Sequence, residues 1–259
     1  MMATMSQGPA NADGGYAPLH GAWPRTLPHG LVLRKMDIGD FDRLTALHAE
    51  LHQQSPQQPA PFVREKDAFF AEHLTSAGEV WGLWENAGLR YQLAGYTVIG
   101  LPTASDPENF GRDLGIDDEA HLALVAHLDG TGVLPHRRGL GLQRYLTGYR
   151  MERARTLGRK TVVSMASPQN SFSLSNLLQC GLTVQRLIRK YDALRFVLVR
   201  ALPGQPTYQD DRHAVTVPLL ANAEEHERCL QAGRVGVALR DIGGHLSLVY
   251  ANRGKDAAP

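Results

Sequence analysis

The sequence predicts a mixed α/β (α+β) fold, because strands and helices are interspersed and two kinds of strand connection occur. The first is a strand–helix–strand unit formed by residues 121–135, 139–157 and 160–165. A unit of this kind places its two strands parallel through a right-handed crossover. The second is the hairpin, which alternating segments joined by turn residues predict at 79–101 and at 182–202. We therefore expect parallel and antiparallel pairs in the same fold.

Composition narrows the classes of function. The chain has 259 residues, of which 43% are hydrophobic, and a net charge of +1. Without a basic excess, neither nucleic-acid binding nor binding to an anionic membrane is expected. No apolar run approaches the roughly 18 residues that span a bilayer, and no signal peptide is indicated. The two cysteines, Cys180 and Cys229, are expected to be reduced thiols in a cytoplasmic protein.

The chain divides into three parts. Residues 1–28 are rich in Gly, Pro, Ala and Asn without periodicity, which predicts a disordered tail, although Trp23 leaves open that its end is pinned to the domain. Residues 29–203 carry the predicted sheet and helices. Residues 204–259 predict a strand, a helix and two strands. This C-terminal extension is too short for an independent core, so we expect it to pack on the main domain.

Helices and one long loop accompany the predicted strands. Apolar residues recur at helical spacing from Phe41 to Leu51, and a second helix is predicted at 65–77. Residues 102–118 form a polar loop with a short helical turn around 109–114, and loops of this length in compact domains are often binding loops. A last helix of the main domain is predicted from Asn170 to Cys180.

The most informative stretch is HLDGTGVLPHRRGLG, residues 127–141. It is interpreted as a strand, an Arg- and Gly-rich loop, and the start of a helix. Such a loop leaves backbone N–H groups unpaired at the positive end of a helix dipole, which suits a phosphate or pyrophosphate. Gly130 and Gly132 lie inside the strand and indicate a bulge or the close approach of another group.

Two motifs lie in register with these elements. The pattern Val-x-Pro-x-x-Arg-Gly-x-Gly occupies residues 133–141, and Asn170 is followed by Ser173 three positions later and Gly181 eleven positions later. With the order of elements over residues 30–202, they resemble the GNAT superfamily of acyl-CoA-dependent N-acetyltransferases. The resemblance implies a mixed, strongly twisted sheet flanked by helices, with splayed central parallel strands and a cleft for acetyl-CoA.

The resemblance also implies which residues hold acetyl-CoA, with the pyrophosphate on main-chain amides. They are Thr131, Gly132, Val133, Arg138, Gly139, Leu140, Gly141, Leu142, Gln143, Asn170 and Ser173. Three positions depart from the family's pattern. His136 stands where Gln or Arg is common, and Gln143 stands where a small residue often follows; neither removes a main-chain donor. Leu177 stands where a Tyr often acts as the acid that protonates the leaving thiolate.

The base is expected on the long strand. A protonated amine must lose a proton before it attacks a thioester, and an unperturbed His, with a pKa of about 6.5, suits that step. His127 occupies the position where many family members carry a Glu, and Asp129 is the second candidate. Under regular alternation these two share a face with Thr131 and Val133, whereas a bulge would shift that phase. Both side chains could also line the cleft without a chemical role.

These features predict an N-acetyltransferase that moves an acetyl group from acetyl-CoA to a primary amine by direct attack in a ternary complex. The acceptor, a small molecule or a peptide, is expected to be lined by residues 41–54, the 102–118 loop and the final hairpin. Acidic residues at 105–119 would suit a cationic amine, although such charges are often only solvated. Cys180, Ser173 or water could serve as the acid. No metal is predicted, because the histidines and cysteines lack ligand spacing.

A second reading belongs to another class of protein. Leu177 and the lack of an acidic residue at the usual base position would also fit a CoA-binding regulatory or interaction module without catalysis. The C-terminal extension could then form a surface for a partner or for a homodimer. A third reading keeps the fold and replaces acetyl-CoA by a longer acyl-CoA.

Overall fold

The fold is described by a computed structural model over residues 23–53, 64–88, 90–202, 204 and 214–253. Within these residues, ten strands form one sheet in the order β1-β2-β3-β4-β5-β7-β6-β9-β10-β8. The strands are β1 Leu31–Lys35, β2 Gly78–Asn86, β3 Tyr91–Gly100, β4 Val125–Val133, β5 Thr161–Ala166, β6 Thr183–Lys190, β7 Ala193–Ala201, β8 Val215–Pro218, β9 Arg234–Ile242 and β10 His245–Asn252. The β4–β5 pair is parallel and the other neighbours are antiparallel, as the sequence predicts.

Seven α-helices flank this sheet in the described residues. They are α1 Phe41–Gln53, α2 Asp67–Thr75, α3 Phe110–Asp113, α4 Glu119–Leu122, α5 Leu142–Thr156, α6 Ser171–Gln179 and α7 Ala223–Gln231. The predicted long strand from His121 is wrong at its start, since β4 begins at Val125. Asp118 accepts a hydrogen bond from the N–H of His121 at 2.8 Å and caps α4 there. No helix in these residues is long and apolar enough to cross a membrane.

Two hydrophobic clusters cover opposite faces of the sheet. Val98 on β3 belongs to the cluster with Leu44 of α1 and Phe70 of α2. Its neighbour Ile99 belongs to the cluster with Met151 of α5. Because successive residues of a strand point to opposite faces, α1 and α2 lie on one face, which we call the α1/α2 face, and α5 lies on the other.

The central parallel strands separate soon after they pair. Their register runs from Val125↔Thr161 only to His127↔Val163. The Ser164 hydroxyl then donates to the carbonyl of Leu128 at 2.8 Å. Beyond this point the ladder between the two strands ends, although β4 continues to Val133. This separation is the splaying of the central parallel strands that the GNAT resemblance implies.

A β-bulge lies at the mouth of this separation. Thr97 of β3 pairs with Thr131, and Ile99 pairs with Leu128. Asp129 and Gly130 of β4 therefore both lie opposite one residue of β3, Val98. The bulge expected from the strand glycines is therefore present. An extra residue on one strand interrupts the alternation of side chains.

The bulge changes which residues share a face. A Cβ on Gly132 would lie 2.5 Å from Leu51 of α1, so Gly132 faces α1 and its neighbours Thr131 and Val133 face away from it. Val133 indeed packs with Leu142 of α5. Asp129, in contrast, lies beside α2. The regular alternation that would place His127, Asp129, Thr131 and Val133 on one face is thus wrong, because the bulge shifts the phase after Asp129.

Residues at the start of the described chain pack against α5. The Trp23 ring packs directly on Gly148. A Cβ added to Gly148 would lie 2.0 Å from Trp23 Cδ1. Arg25 and Arg200 lie 4.6 Å and 5.5 Å from the Trp23 ring centroid. The end of the predicted tail is therefore held by Trp23 on α5. The rest of that prediction, residues 1–22, lies outside the described residues.

The C-terminal extension continues the sheet. Strand β9 pairs with β6 at Val184↔Gly236. Leu248 and Tyr250 of β10 join Phe196 of β7 in one hydrophobic cluster. The extension thus packs on the main domain and shares its core.

Candidate functional site

The loop before α5 exposes a row of backbone donors. Gly139 and Gly141 have φ angles of +82° and +72°, in the left-handed region that glycine enters without steric cost. In the described part of the chain, the N–H groups of Gly139, Leu140, Gly141, Leu142 and Gln143 donate to no protein acceptor. They lie at the N-terminus of a 15-residue helix, where the helix dipole favours an anion. This arrangement fits a phosphate or pyrophosphate.

A buried carboxylate on strand β2 of the sheet anchors this loop. Glu85 of β2 accepts from Arg137 Nε at 2.5 Å and lies 3.1 Å from His136 Nε2. Burial alone would raise the pKa of Glu85, but hydrogen bonds from Arg137, Gln92 and His136 outweigh it and lower the pKa. His136, which departs from the family's pattern, therefore contacts the Glu85 carboxylate. It does not take the place of a main-chain donor.

The residues predicted to bind the cofactor differ in how far their side chains are exposed. Arg138 and Leu140 are exposed around the loop, and Gln143 is partly exposed. Val133 and Leu142 point into the core, so they can offer a ligand only their backbone. Thr131 is held by a 2.7 Å hydrogen bond to the hydroxyl of Thr97, and Gly132 lies against Leu51 and Tyr96.

The second motif lies beside the first. Asn170 is the N-cap of α6, and its Oδ1 accepts from the N–H of Ser173 at 3.1 Å. Asn176 on the same helix donates to the Gln143 side chain at 3.0 Å. The first turn of α5 is thus joined to α6, the helix that Asn170 caps, so the two motifs lie on adjoining helices.

No acid stands at the position expected from the resemblance. Leu177 is 3% exposed and packs in the hydrophobic cluster of α5 and α6. Cys180, one helical turn later, is fully buried, and burial raises the pKa of its thiol to about 11. A thiol in that state is a poor proton donor at neutral pH.

His127 has a structural environment. Its Nε2 accepts a hydrogen bond from the N–H of Phe110 at 2.9 Å, and its ring stacks on the Phe110 ring with centroids 3.9 Å apart. The side chain is buried, and burial lowers its pKa. The imidazole is therefore neutral, and its free lone pair is already used by the Phe110 amide. This geometry disfavours His127 as the proton acceptor.

Asp129 faces a histidine that sequence reasoning missed. His73 of α2 lies 2.8 Å from the carbonyl of Phe69 through Nδ1 and 3.6 Å from Asp129 Oδ2 through Nε2. Both partners are acceptors, so both nitrogens of His73 are placed to donate. Burial would lower the pKa of His73, but the nearby Asp129 carboxylate outweighs it and raises the pKa. His73 is therefore placed to pair with Asp129 when its imidazole is protonated.

Glu65 completes this group, just before α2. Burial first, and the Asp129 carboxylate second, raise the pKa of Glu65 to about 7. A carboxyl that titrates near neutrality can exchange a proton at physiological pH. Glu65 could not be singled out from the sequence, because it lies at the boundary of a predicted helix. His73, four residues after Phe69, is at a helical spacing typical of a buried face.

Two acidic residues of the 102–118 loop pair with a lysine of the final hairpin. Lys190 lies 2.8 Å from Asp113 and 3.4 Å from Glu108, and its ammonium group is 5.1 Å from the Phe110 ring centroid. These two carboxylates therefore tie the loop to the final hairpin. Among the described residues, no group of three or more His, Cys, Asp and Glu side chains could hold a metal ion.

No family model and no curated protein matches the sequence. Solved structures do match. Arabidopsis thaliana NAA60 in complex with acetyl-CoA has a TM-score of 0.55 and 14% identity, over 67% of this chain and 99% of that chain. AAC(6')-Ib in complex with ribostamycin and coenzyme A has a TM-score of 0.50 and 14% identity, over 67% and 94%.

The acetyltransferase of the GNAT family from Streptococcus pneumoniae has a TM-score of 0.48 and 12% identity, over 66% of this chain and 98% of that chain. At such identities the likeness concerns the fold. This chain has the GNAT fold, as its two motifs imply.

Proposed function

We propose that the chain is an N-acetyltransferase that transfers an acetyl group from acetyl-CoA to a primary amine. The observation that carries this proposal is the row of free amides from Gly139 to Gln143, which opens beside the separation of β4 and β5. A charged pyrophosphate on those amides would direct the rest of the cofactor into the cleft. The fold match supports the proposal and leaves the acceptor open.

The residues present fit acetyl-CoA as co-substrate. The amides of residues 139–143 would bind the pyrophosphate, and the backbone of residues 131–133 would pair with the pantetheine arm. Asn170 and Ser173, at the start of α6, would contact this arm. When bound, acetyl-CoA supplies the reactive thioester. The protein then contributes proximity, since it holds the amine and the thioester in one cleft.

We assign the proton acceptor to Asp129 and Glu65 rather than to His127. The lone pair of His127 is used by the Phe110 amide, whereas the Asp129 carboxylate lies 3.6 Å from His73 Nε2 and the pKa of Glu65 is raised to about 7. The two carboxyls also favour a cationic ammonium group at this place. His127 becomes a positioning residue that holds α3 against β4.

The acceptor would enter from the α1/α2 face, between α1, the 102–118 loop and the β6–β7 hairpin. Its identity, a small molecule or a peptide, stays open, as does a homodimer. Two free, buried cysteines fit a reducing compartment, so we also propose a cytoplasmic protein.

Calorimetry with CoA and a thiol-release assay with acetyl-CoA and a panel of amines test this function. We expect CoA binding, thiol release with at least one amine, and a loss of at least about tenfold in kcat for Asp129→Asn, in the range that general-base catalysis contributes. Glu224→Gln, at an exposed carboxylate of α7, is the control. Binding of CoA without turnover on any amine would favour the CoA-binding module, and failure to bind CoA would end the proposal.

A further inference from the structure

Arg150 is a buried cation at the bulge of β4. Its side chain extends from α5, and the residue is 2% exposed. Its Nη1 donates to the carbonyls of Val98 at 3.2 Å and Asp129 at 2.8 Å, and its Nη2 lies 3.4 Å from the Thr147 hydroxyl. The two carbonyls flank the bulge. The guanidinium therefore holds the bulge in its shape.

This cation has no counter-ion in contact. Among the residues that the structure describes, no carboxylate lies within 4.0 Å of Arg150, and its buried Nε has no hydrogen-bond partner. Burial lowers the pKa of Arg150 to about 10, so it stays charged at neutral pH. Buried charges are normally paired, because an isolated charge in a low-dielectric interior is costly. Arg150 thus leaves a positive charge that an anion could balance.

The position of Arg150 is level with the base of the cleft. Asp129, whose carbonyl it binds, directly follows Leu128, the last residue of β4 that is tied to β5. From Leu142 to Arg150 the helix advances about 12 Å at 1.5 Å per residue. From Val133 back to Asp129 the strand covers about 13 Å at 3.3 Å per residue. The guanidinium therefore lies near the point where the strands separate, about 13 Å along β4 from the amide row.

We propose that Arg150 supplies the positive charge beside the CoA sulfur and balances the leaving thiolate, in place of the acid that Leu177 cannot provide. The inference rests on the proposed acetyl transfer. In that reaction the amine nitrogen forms a bond to the acetyl carbon, and the carbon–sulfur bond breaks with its electron pair on sulfur. The amine proton goes to the Asp129–Glu65 pair. The thiolate leaves as an anion and takes its proton from water.

The charged and titratable groups around Arg150 are consistent with this role. The Asp129 carboxylate interacts with Arg150 from β4 but points to the α1/α2 face, where it pairs with His73. Cys180 of α6 interacts with Arg150, Arg144 and Arg200, yet burial raises its thiol pKa to about 11, so it is neutral. A CoA thiolate would therefore be the anion next to this cation.

The test is a pH titration of CoA thiolate absorbance in the protein–CoA complex, with desulfo-CoA as the blank. The blank removes the signal of the protein's own cysteines. In the wild-type complex we expect the thiol pKa of bound CoA to lie about one unit below that of free CoA, a tenfold change in the ionisation constant. In Arg150→Met the depression should disappear, and Arg150→Lys should retain part of it.

Arg159→Met is the matched control. Arg159 also donates to backbone carbonyls, at 3.0 Å to Pro102 and 2.9 Å to Val125, but at the opposite end of β4. It should leave the thiol pKa of bound CoA unchanged. A bound thiol pKa at or above that of free CoA in the wild type overturns the inference, even if Arg150→Met fails to fold. An equal depression in wild type and Arg150→Met also overturns it. Absence of CoA binding overturns the proposed function instead.

Discussion

Gly139 connects backbone conformation to ligand binding. Its φ of +82° is strained for any residue with a Cβ, although a Cβ there would meet no atom within 4 Å. Substitution by Ala therefore acts through the backbone and not through a clash. The left-handed conformation costs an L-residue roughly 1–2 kcal/mol. A loop that relaxes to avoid this cost would turn its free amides away from one another.

We expect Gly139→Ala to weaken CoA binding by at least tenfold in calorimetry. Gly158→Ala is the control, because Gly158 has a φ of +78° and equally open surroundings but follows the far end of α5. Both variants should lose similar stability, by about 1–2 kcal/mol in urea unfolding. Equal CoA affinity in the two variants would contradict the role of the loop.

Glu65 gives stability a distinct pH dependence. Its pKa is raised from 4.5 to about 7 in the folded chain, so the folded state holds a proton that the unfolded state has lost between these values. A raised carboxyl pKa therefore lowers stability as pH rises through that window. The penalty is complete above pH 7.

We expect Glu65→Gln to remove this penalty. Its melting temperature relative to wild type should rise between pH 5 and pH 8, by the equivalent of about 1–3 kcal/mol. Thermal unfolding of both proteins at the two pH values measures it. Glu224→Gln, an exposed residue of α7, should show no such trend. A difference that stays constant with pH, or falls, would show that Glu65 is not held protonated.

Two polar residues of β4 could be singled out from the sequence, but their contacts could not. A base on β4 could be expected from His127 and Asp129, but spacing cannot show that Phe110 donates its N–H to His127. That contact arises because Asn109 caps a short helix that crosses the strand. His73 and Glu65 come from a distant part of the chain, so only the fold brings them to Asp129.

Among the strands, too, local features could be predicted from the sequence and long-range features could not. The parallel pair and both hairpins could be predicted from alternation and turn residues, since these are local signals. Gly130 and Gly132 predicted a bulge, yet they could not fix which residue is the extra one. That depends on the register with β3, which is a long-range property. A shift of one residue in this register moves each side chain to the opposite face of the sheet. The register with β3 therefore determines which side chains line the site.

Strand β9 joins the sheet through close backbone contact at Gly236. A Cβ at this position would lie 2.9 Å from the Cβ of Val184 and 3.0 Å from Leu248. The contact lies at the register pair Val184↔Gly236 between β6 and β9. A side chain here would push β9 away from β6, because closely packed interiors have no room for added methyl groups.

We expect Gly236→Val to lower the free energy of unfolding by about 1–3 kcal/mol, the usual cost of overpacking. Urea unfolding followed by circular dichroism measures it. Gly204→Ala is the control, since the nearest atom to its Cβ is 3.9 Å away. CoA affinity should stay unchanged in both variants. A Gly236→Val protein as stable as wild type would show that the β6–β9 contact adds little.

The ten strands act as one body because the C-terminal extension is built into the same core. Tyr250 is fully buried, and its hydroxyl lies 2.8 Å from His226 Nδ1. The His226 ring in turn packs edge-on against Phe196 of β7, with centroids 5.1 Å apart. Without the extension, Phe196 and its neighbours in this cluster would face water.

We therefore expect a chain that ends at residue 202 to aggregate or to unfold without a cooperative transition. The full-length variant Tyr250→Ala tests the same point if the short chain cannot be purified. It should lose about 3–5 kcal/mol, as for other large buried aromatic residues cut to Ala. Tyr250→Phe, which removes only the hydroxyl bonded to His226, should lose about 1 kcal/mol. A shortened chain that unfolds cooperatively and binds CoA as wild type does would show that the chain up to residue 202 folds alone. The shared core would then not be required for the site.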